Sequence, residues 1–230
     1  MRSIAYLAAV TLSLMACTTS DKPAAIDTSA AMPASGMSED ADRNAGGGAL
    51  PAGYIARTDK ADADITGAKY VTDGGDWEVT TGPPHVIYSS KDVGAGTYTA
   101  TAVIEQLEAP AHPEAFGVFI GGRDLDKPTQ AYTYLLVRGT GEVLIKVREG
   151  DATRDVIKWT PSADVPKGDG AGRARYEIAA QVTADALKMM INGTQVASVS
   201  KAGLPTEGIA GIRINHNLHV KVTPVTIKRP

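Results

Sequence analysis

The sequence predicts an all-β fold, two antiparallel sheets packed as a sandwich, and three observations carry that expectation. Short runs rich in Val, Ile, Thr and Tyr recur between clusters of turn residues along most of the chain. No stretch shows the sustained 3.6-residue apolar period of a long amphipathic helix. The third observation is a hairpin centred on Gly139-Thr140-Gly141, where both arms alternate in polarity. In the first arm Tyr132, Tyr134, Leu136 and Arg138 point one way and Thr133, Leu135 and Val137 the other. The second arm repeats the split, with Glu142, Leu144, Lys146 and Arg148 opposed to Val143, Ile145 and Val147. One face of the hairpin is therefore aliphatic, fit to bury against a second sheet, while the other carries Tyr, Lys and Arg.

From the N-terminus, Arg2 precedes an apolar run over residues 4–16. That run is shorter than the ~20 residues a bilayer-spanning helix needs and has the layout of a secretory signal. It ends in Leu14-Met15-Ala16-Cys17, which resembles the lipobox of bacterial lipoproteins. The resemblance implies diacylation of Cys17 and cleavage before it, leaving a protein anchored to a membrane by acyl chains. A plain signal peptide followed by a chance cysteine is the competing reading. Cys17 favours lipidation because it is the only cysteine and stands at the cleavage boundary. Thr18 follows where an Asp would favour inner-membrane retention, so the expected address in a Gram-negative host is the outer membrane of the cell envelope.

Residues 17–53 shift to Ala, Ser, Thr, Asp and Gly, including Gly46-Gly47-Gly48, and read as a flexible tether of roughly 30 Å average reach. The folded domain is expected over residues 54–230, without disulfides, since no cysteine remains there. Asp73-Gly74-Gly75-Asp76 is a turn, followed by strands at residues 77–80 and 85–88. Residues 97–105 alternate Thr against Tyr and Ala, a half-buried strand. Phe116-Gly117-Val118-Phe119-Ile120 precedes the hairpin, and residues 154–159 follow it. A Pro-, Gly-, Lys- and Asp-rich loop over residues 160–172 leads to strands at 175–182, 187–191 and 194–198. The last two are joined by Asn192-Gly193, which suits the positive φ angles of a type I′ turn. Asn192-Gly193-Thr194 also matches a glycosylation sequon, but the tight hairpin is the better account. Residues 208–215 and 218–228 close the domain.

A formal charge of −3, from 23 basic and 26 acidic residues, offers no field for nucleic acid, so no nucleic-acid partner is expected. The polar hairpin face is the candidate binding surface: Tyr132, Tyr134, Lys146 and Arg148, joined by Arg213 and Asn215 because Ile212 and Ile214 take the opposite, core-facing positions. Gly117 and Gly121 would leave room for a ligand if they share that face. Aromatic planes stack on sugar rings while Arg, Lys and Asn donate to hydroxyls or carboxylates, so the set suits a neutral or acidic glycan. The same residue types are also ordinary cover for a solvated sheet face. Trp77 and Trp159 read as packing residues, and Arg123-Asp124 as an ion pair within a loop.

No catalytic residue, metal site or cofactor is assigned. Asp124 and Asp126 have the spacing of paired carboxylates but fall in a Lys-Pro loop; there is no G-x-S-x-G and no HExxH. His216 and His219, three apart, would point to opposite faces of a strand. Turn oxygens at Asp73 and Asp76 would suit Ca²⁺, although a solvated turn is the simpler expectation.

The order of GDWEV at residues 75–79, AFGVFIGGRD at 115–124, YTYLLVRGTGEVLIKVREGD at 132–151, LKMMINGTQVAS and GIAGIRINHNLHVKV resembles the concanavalin A-like lectin/glucanase superfamily. Within it the chain is similar to laminin-G-like domains and to the domain labelled 3-keto-disaccharide hydrolase. The resemblance implies a jelly roll of two curved sheets. With the polar face and the envelope address, the expected partner is a glycan or other envelope component; the family label alone implies the alternative, hydrolysis or lysis of 3-keto-disaccharides, because this scaffold hosts lectins, adhesion modules and enzymes alike.

Overall fold

The computed structural model describes residues 45–47, 49–60 and 64–230. The expected signal segment 1–16, Cys17 and the tether up to residue 44 lie outside the described residues. Among those described, fifteen strands form two sheets in which every strand pair is antiparallel.

Sheet A runs in the order β1 (Ile55–Thr58), β4 (His85–Gly94), β13 (Gly208–Ile214), β6 (Ala115–Arg123), β7 (Ala131–Arg138), β8 (Glu142–Glu149), β9 (Ala152–Pro161). Sheet B runs β12 (Thr194–Ser200), β11 (Ala186–Ile191), β10 (Ala174–Val182), β5 (Tyr98–Gln106), β14 (His219–Val222), β3 (Asp76–Thr80), β2 (Lys69–Asp73), with β15 (Thr226–Lys228) paired to β5. Strands distant in sequence lie side by side, as β13 does between β4 and β6, and the two sheets stack as a jelly-roll sandwich.

The alternation read from the sequence decides which side chains fill the space between the sheets. Phe116, Val118, Ile120, Leu135, Val137, Val143, Ile145, Ile212 and Ile214 face inward from sheet A. They meet Tyr98, Ala100, Ala102, Ile104, Ile178, Ala180, Leu187, Met189, Val220 and Val222 from sheet B. Phe116 packs edge-on against Tyr176 across the gap, ring centroids 5.4 Å apart. Each such aliphatic burial stabilises the fold by about 1.5–3 kcal/mol, which lets the domain stand without a disulfide. Asn192 and Gly193 have φ of 50° and 81°, as the type I′ turn requires.

Two strands were not signalled locally. β1 and β2 are edge pieces whose burial is too slight to print an alternation: in β2 only Tyr70 is buried. β4 also runs on past Tyr88 through polar Ser89-Ser90-Lys91-Asp92, because β13 supplies backbone partners out to Gly94. Packed chain reaches back ahead of residue 54, the boundary that composition suggests. Ala45 and Gly46 donate to the Gly67 carbonyl at 2.9 and 3.3 Å, and Leu50 packs on the core. Backbone hydrogen bonds hold residues whose small side chains carry no burial signal.

Candidate ligand-binding face

The register of β7 and β8 places Tyr132 opposite Arg148, Tyr134 opposite Lys146 and Leu136 opposite Leu144. All six point away from sheet B, while Thr133, Leu135 and Val137 turn inward with their partners Val147, Ile145 and Val143. β13 brings Arg213 to the same outer face, beside Gly117 of β6 and, one strand further, Leu136. Four rings run across it: Tyr88 to Phe119 at 6.3 Å between centroids, Phe119 to Tyr132 at 5.2 Å, Tyr132 to Tyr134 at 5.6 Å. Phe119 lies over Gly211, where a Cβ would meet both its ring and the Ile87 carbonyl. Gly117 does share the face, but a Cβ there would strike the Leu135 backbone, and one at Gly121 would strike Pro205. The two missing side chains admit neighbouring backbone rather than a ligand.

The chain just after β1 brings one carboxylate to this face. Asp59 lays its carboxylate between two guanidiniums. Arg213 Nη1 donates to Oδ1 and Nη2 to Oδ2 at 2.7 Å, and Arg148 Nη2 stands 3.1 Å from Oδ1. Arg213 also donates from Nε and Nη2 to Asn215 Oδ1 at 3.3 Å, and its guanidinium sits 5.9 Å from the Tyr134 ring centroid. Lys146, at the rim, pairs with Asp155 at 3.3 Å. Burial on its own would raise the Asp59 pKa; the hydrogen bond and charge of Arg213, with the charge of Arg148, outweigh it and hold the carboxyl below its ordinary value. Burial pushes the phenols of Tyr132 and Tyr134 upward, so both remain O–H donors at any physiological pH.

The polar accounts around the clamp do not close. Two buried guanidiniums share one carboxylate, and Arg148 Nε is buried with no hydrogen-bond partner. Arg57, which donates from Nη1 to the Leu125 carbonyl at 3.1 Å, leaves Nε and Nη2 unmatched. Gln130, one residue before β7, has both its amide atoms buried and unmatched. Such groups cost about 1–3 kcal/mol each unless something pairs with them.

The structure thus gathers five of the six expected residues on or beside one face and alters the part they can play. Tyr132 is 1% exposed and Tyr134 7%, so neither ring presents a flat surface for a sugar. Asn215 stands beyond the end of β13, donating to Glu114 Oε2 at 3.1 Å. Asp59, Arg57 and Gln130 had no signal in the sequence, since a side chain reaching over a sheet from outside it leaves no period to read. Other expectations resolve as follows. Asp124 pairs with Lys127 at 2.8 Å rather than with Arg123, because the turn closed by the Lys127 N–H on the Asp124 carbonyl at 2.9 Å brings the two side chains together. At the turn whose oxygens would suit Ca²⁺, the Lys221 ammonium stands 2.9 Å from Asp73 and 3.9 Å from Asp76. Trp77 is buried against Tyr54, and Trp159 is half-buried beneath the Arg138 guanidinium at 4.4 Å.

No family model matches the chain, and no curated protein matches it. Among solved structures it is similar to the carbohydrate-binding module CBM66 from Bacillus subtilis, with a TM-score of 0.57 and 14% identity over 77% of this chain and 96% of that one. It is also similar to a protein of unknown function with a galectin-like fold from Bacillus subtilis, with a TM-score of 0.54 and 12% identity over 70% and 86% of the two chains. At these identities the likeness establishes the fold alone, a jelly-roll β-sandwich.

Proposed function

We propose that the protein is a lipid-anchored envelope lipoprotein whose sandwich binds a carbohydrate or other envelope component without catalysis, through the outer face of sheet A. The observation that carries this reading is the clamp itself: two buried arginines over a tyrosine floor, closed on a carboxylate that belongs to neither strand. An acidic sugar would set its carboxylate where Asp59 now lies, bidentate on Arg213, with Arg148 and Lys146 donating to neighbouring oxygens and Tyr134 uncovered beside them. The carbohydrate-binding name of one structural neighbour supports the same reading. Lipidation at Cys17 supplies the membrane partner. Of the carboxylates that turnover of 3-keto-disaccharides would call on, Asp124 is held by Lys127 and Glu149 stands exposed.

Calorimetry with oligouronates and with their carboxyl-reduced neutral counterparts tests the proposal on the wild type, Asp59→Asn and Arg213→Lys. Asp59→Asn should bind the acidic oligomers about tenfold or more tighter than the wild type and prefer them to the neutral ones, and Arg213→Lys should lose that preference. Failure of both the wild type and Asp59→Asn to bind any oligouronate, or equal binding of acidic and neutral forms, would overturn it. Radiolabelled palmitate that enters the wild type but not Cys17→Ala would establish the anchor.

A further inference from the structure

β13 leaves sheet A and re-enters sheet B as β14, and at that end of the sandwich two loops bring together three side chains that ligate metals. His112 and Glu114 lie in the segment before β6, His216 in the turn between β13 and β14. These loops are forced side by side because β13 and β6 are hydrogen-bonded neighbours, with Ile214 opposite Phe116 and the Asn215 N–H donating to the Ala115 carbonyl at 3.0 Å. Glu114 Oε1 stands 2.9 Å from His112 Nε2 and 2.8 Å from His216 Nε2. The two imidazoles meet edge to face, 5.6 Å between centroids.

Three features set this group apart from a carboxylate with casual neighbours. Glu114 is only 8% exposed, and among the described residues its side-chain partners include two imidazoles and one amide. A buried carboxylate is stabilised by a full counter-charge beside it. Its second oxygen accepts from Asn215, which is itself held by Arg213, so an outer hydrogen bond turns Oε1 toward the histidines in the way that outer partners orient metal ligands. Finally, His112 lines a cleft of about 230 Å³ together with Gln106, Pro110 and Pro113, which gives solvent or a small ligand access beside it.

We propose that His112, Glu114 and His216 form a binding site for a first-row divalent cation of the Zn²⁺ class, with a fourth position open. Two imidazole nitrogens and one carboxylate oxygen suit Zn²⁺, whereas Mg²⁺ and Ca²⁺ take oxygen shells. Tetrahedral bonds of about 2.0–2.2 Å separate ligand atoms by roughly 3.4 Å. The Glu114 contacts therefore open by about half an ångström, while the three ligand atoms, all within 4.8 Å of one another, draw to the common spacing by movement of the two loops, and the cation supplies a buried counter-charge. The site needs no glycan and stands or falls apart from the clamped face.

The test is titration of untagged, chelator-treated full chain carrying Cys17→Ser, which removes the lone thiol, with Zn²⁺ by calorimetry and with Co²⁺ by visible absorption. The expected result is one ion per chain with micromolar or tighter affinity, a tetrahedral Co²⁺ band, and no competition from millimolar Mg²⁺. His112→Ala and His216→Ala should each weaken binding at least about tenfold, while His219→Ala, whose imidazole pairs with Glu78 at 2.7 Å, should bind as the parent does. X-ray absorption of the Zn²⁺-loaded parent should show two imidazole ligands, a readout that holds even if an alanine variant fails to fold. Absence of stoichiometric binding by the parent, parent-like affinity in both folded His variants, or a spectrum without imidazole scattering would overturn the assignment.

Discussion

Arg213 and Asp59, 154 residues apart in the chain, form a two-pronged ion pair on the outer face of sheet A, with Nη2 to Oδ2 at 2.7 Å. The pair locks the segment after β1 onto the sheet and keeps two guanidiniums from facing each other uncompensated. Asp59→Ala should therefore cost about 2–4 kcal/mol at pH 7, measured by urea unfolding. The Asp59 pKa is lower folded than unfolded, so its stabilisation is complete above the unfolded value of about 4 and is lost as pH falls through the folded one. The stability gap between wild type and Asp59→Asn should close only below about pH 4.

A second, higher window belongs to His85. Its Nδ1–H donates to the Pro83 carbonyl at 2.8 Å, which leaves Nε2 to accept from the Tyr70 hydroxyl. Burial lowers its pKa to about 4. Between about pH 6.5 and 4 the unfolded chain binds a proton there that the folded chain refuses, so stability falls as pH falls, by up to about 3 kcal/mol. His85→Gln should flatten the dependence of unfolding free energy on pH over that window, and an unchanged slope would assign the acid sensitivity elsewhere.

Thr133 faces the core with its hydroxyl buried and without a hydrogen-bond partner. Thr133→Val keeps the shape and removes the desolvated oxygen, and should raise stability by about 1 kcal/mol in urea or thermal melts.

Gly211 and Gly193 separate close approach from backbone conformation. A Cβ on Gly211 meets the Ile87 carbonyl and the Phe119 ring, whose Cε1 would lie 2.5 Å away, so Gly211→Ala should destabilise by about 2–3 kcal/mol. A Cβ on Gly193 meets nothing within 4 Å, but its φ is 81°, and Gly193→Ala should cost about 1 kcal/mol. Equal losses in differential scanning calorimetry would contradict the close packing at Gly211.

Alternation is a local property of an extended chain, and it divides Tyr132, Tyr134, Lys146 and Arg148 from Thr133, Leu135 and Val147 without reference to any partner strand. The Asn192-Gly193 turn was equally legible, because positive φ at two successive residues is a demand few other pairs meet. Edge strands β1 and β2 were not, since their single buried positions give no period.

The amino-acid sequence by itself determined the all-β class, the central hairpin and the identity of its two faces, because each depends on neighbours a few residues apart. Only the tertiary structure decided that Asp59 meets Arg213 on the tyrosine-bearing face, and that Glu114 meets His216 across 102 residues. Both contacts follow from strand order, which sets together segments that share no local pattern, and strand order is chosen by the packing of the whole sandwich.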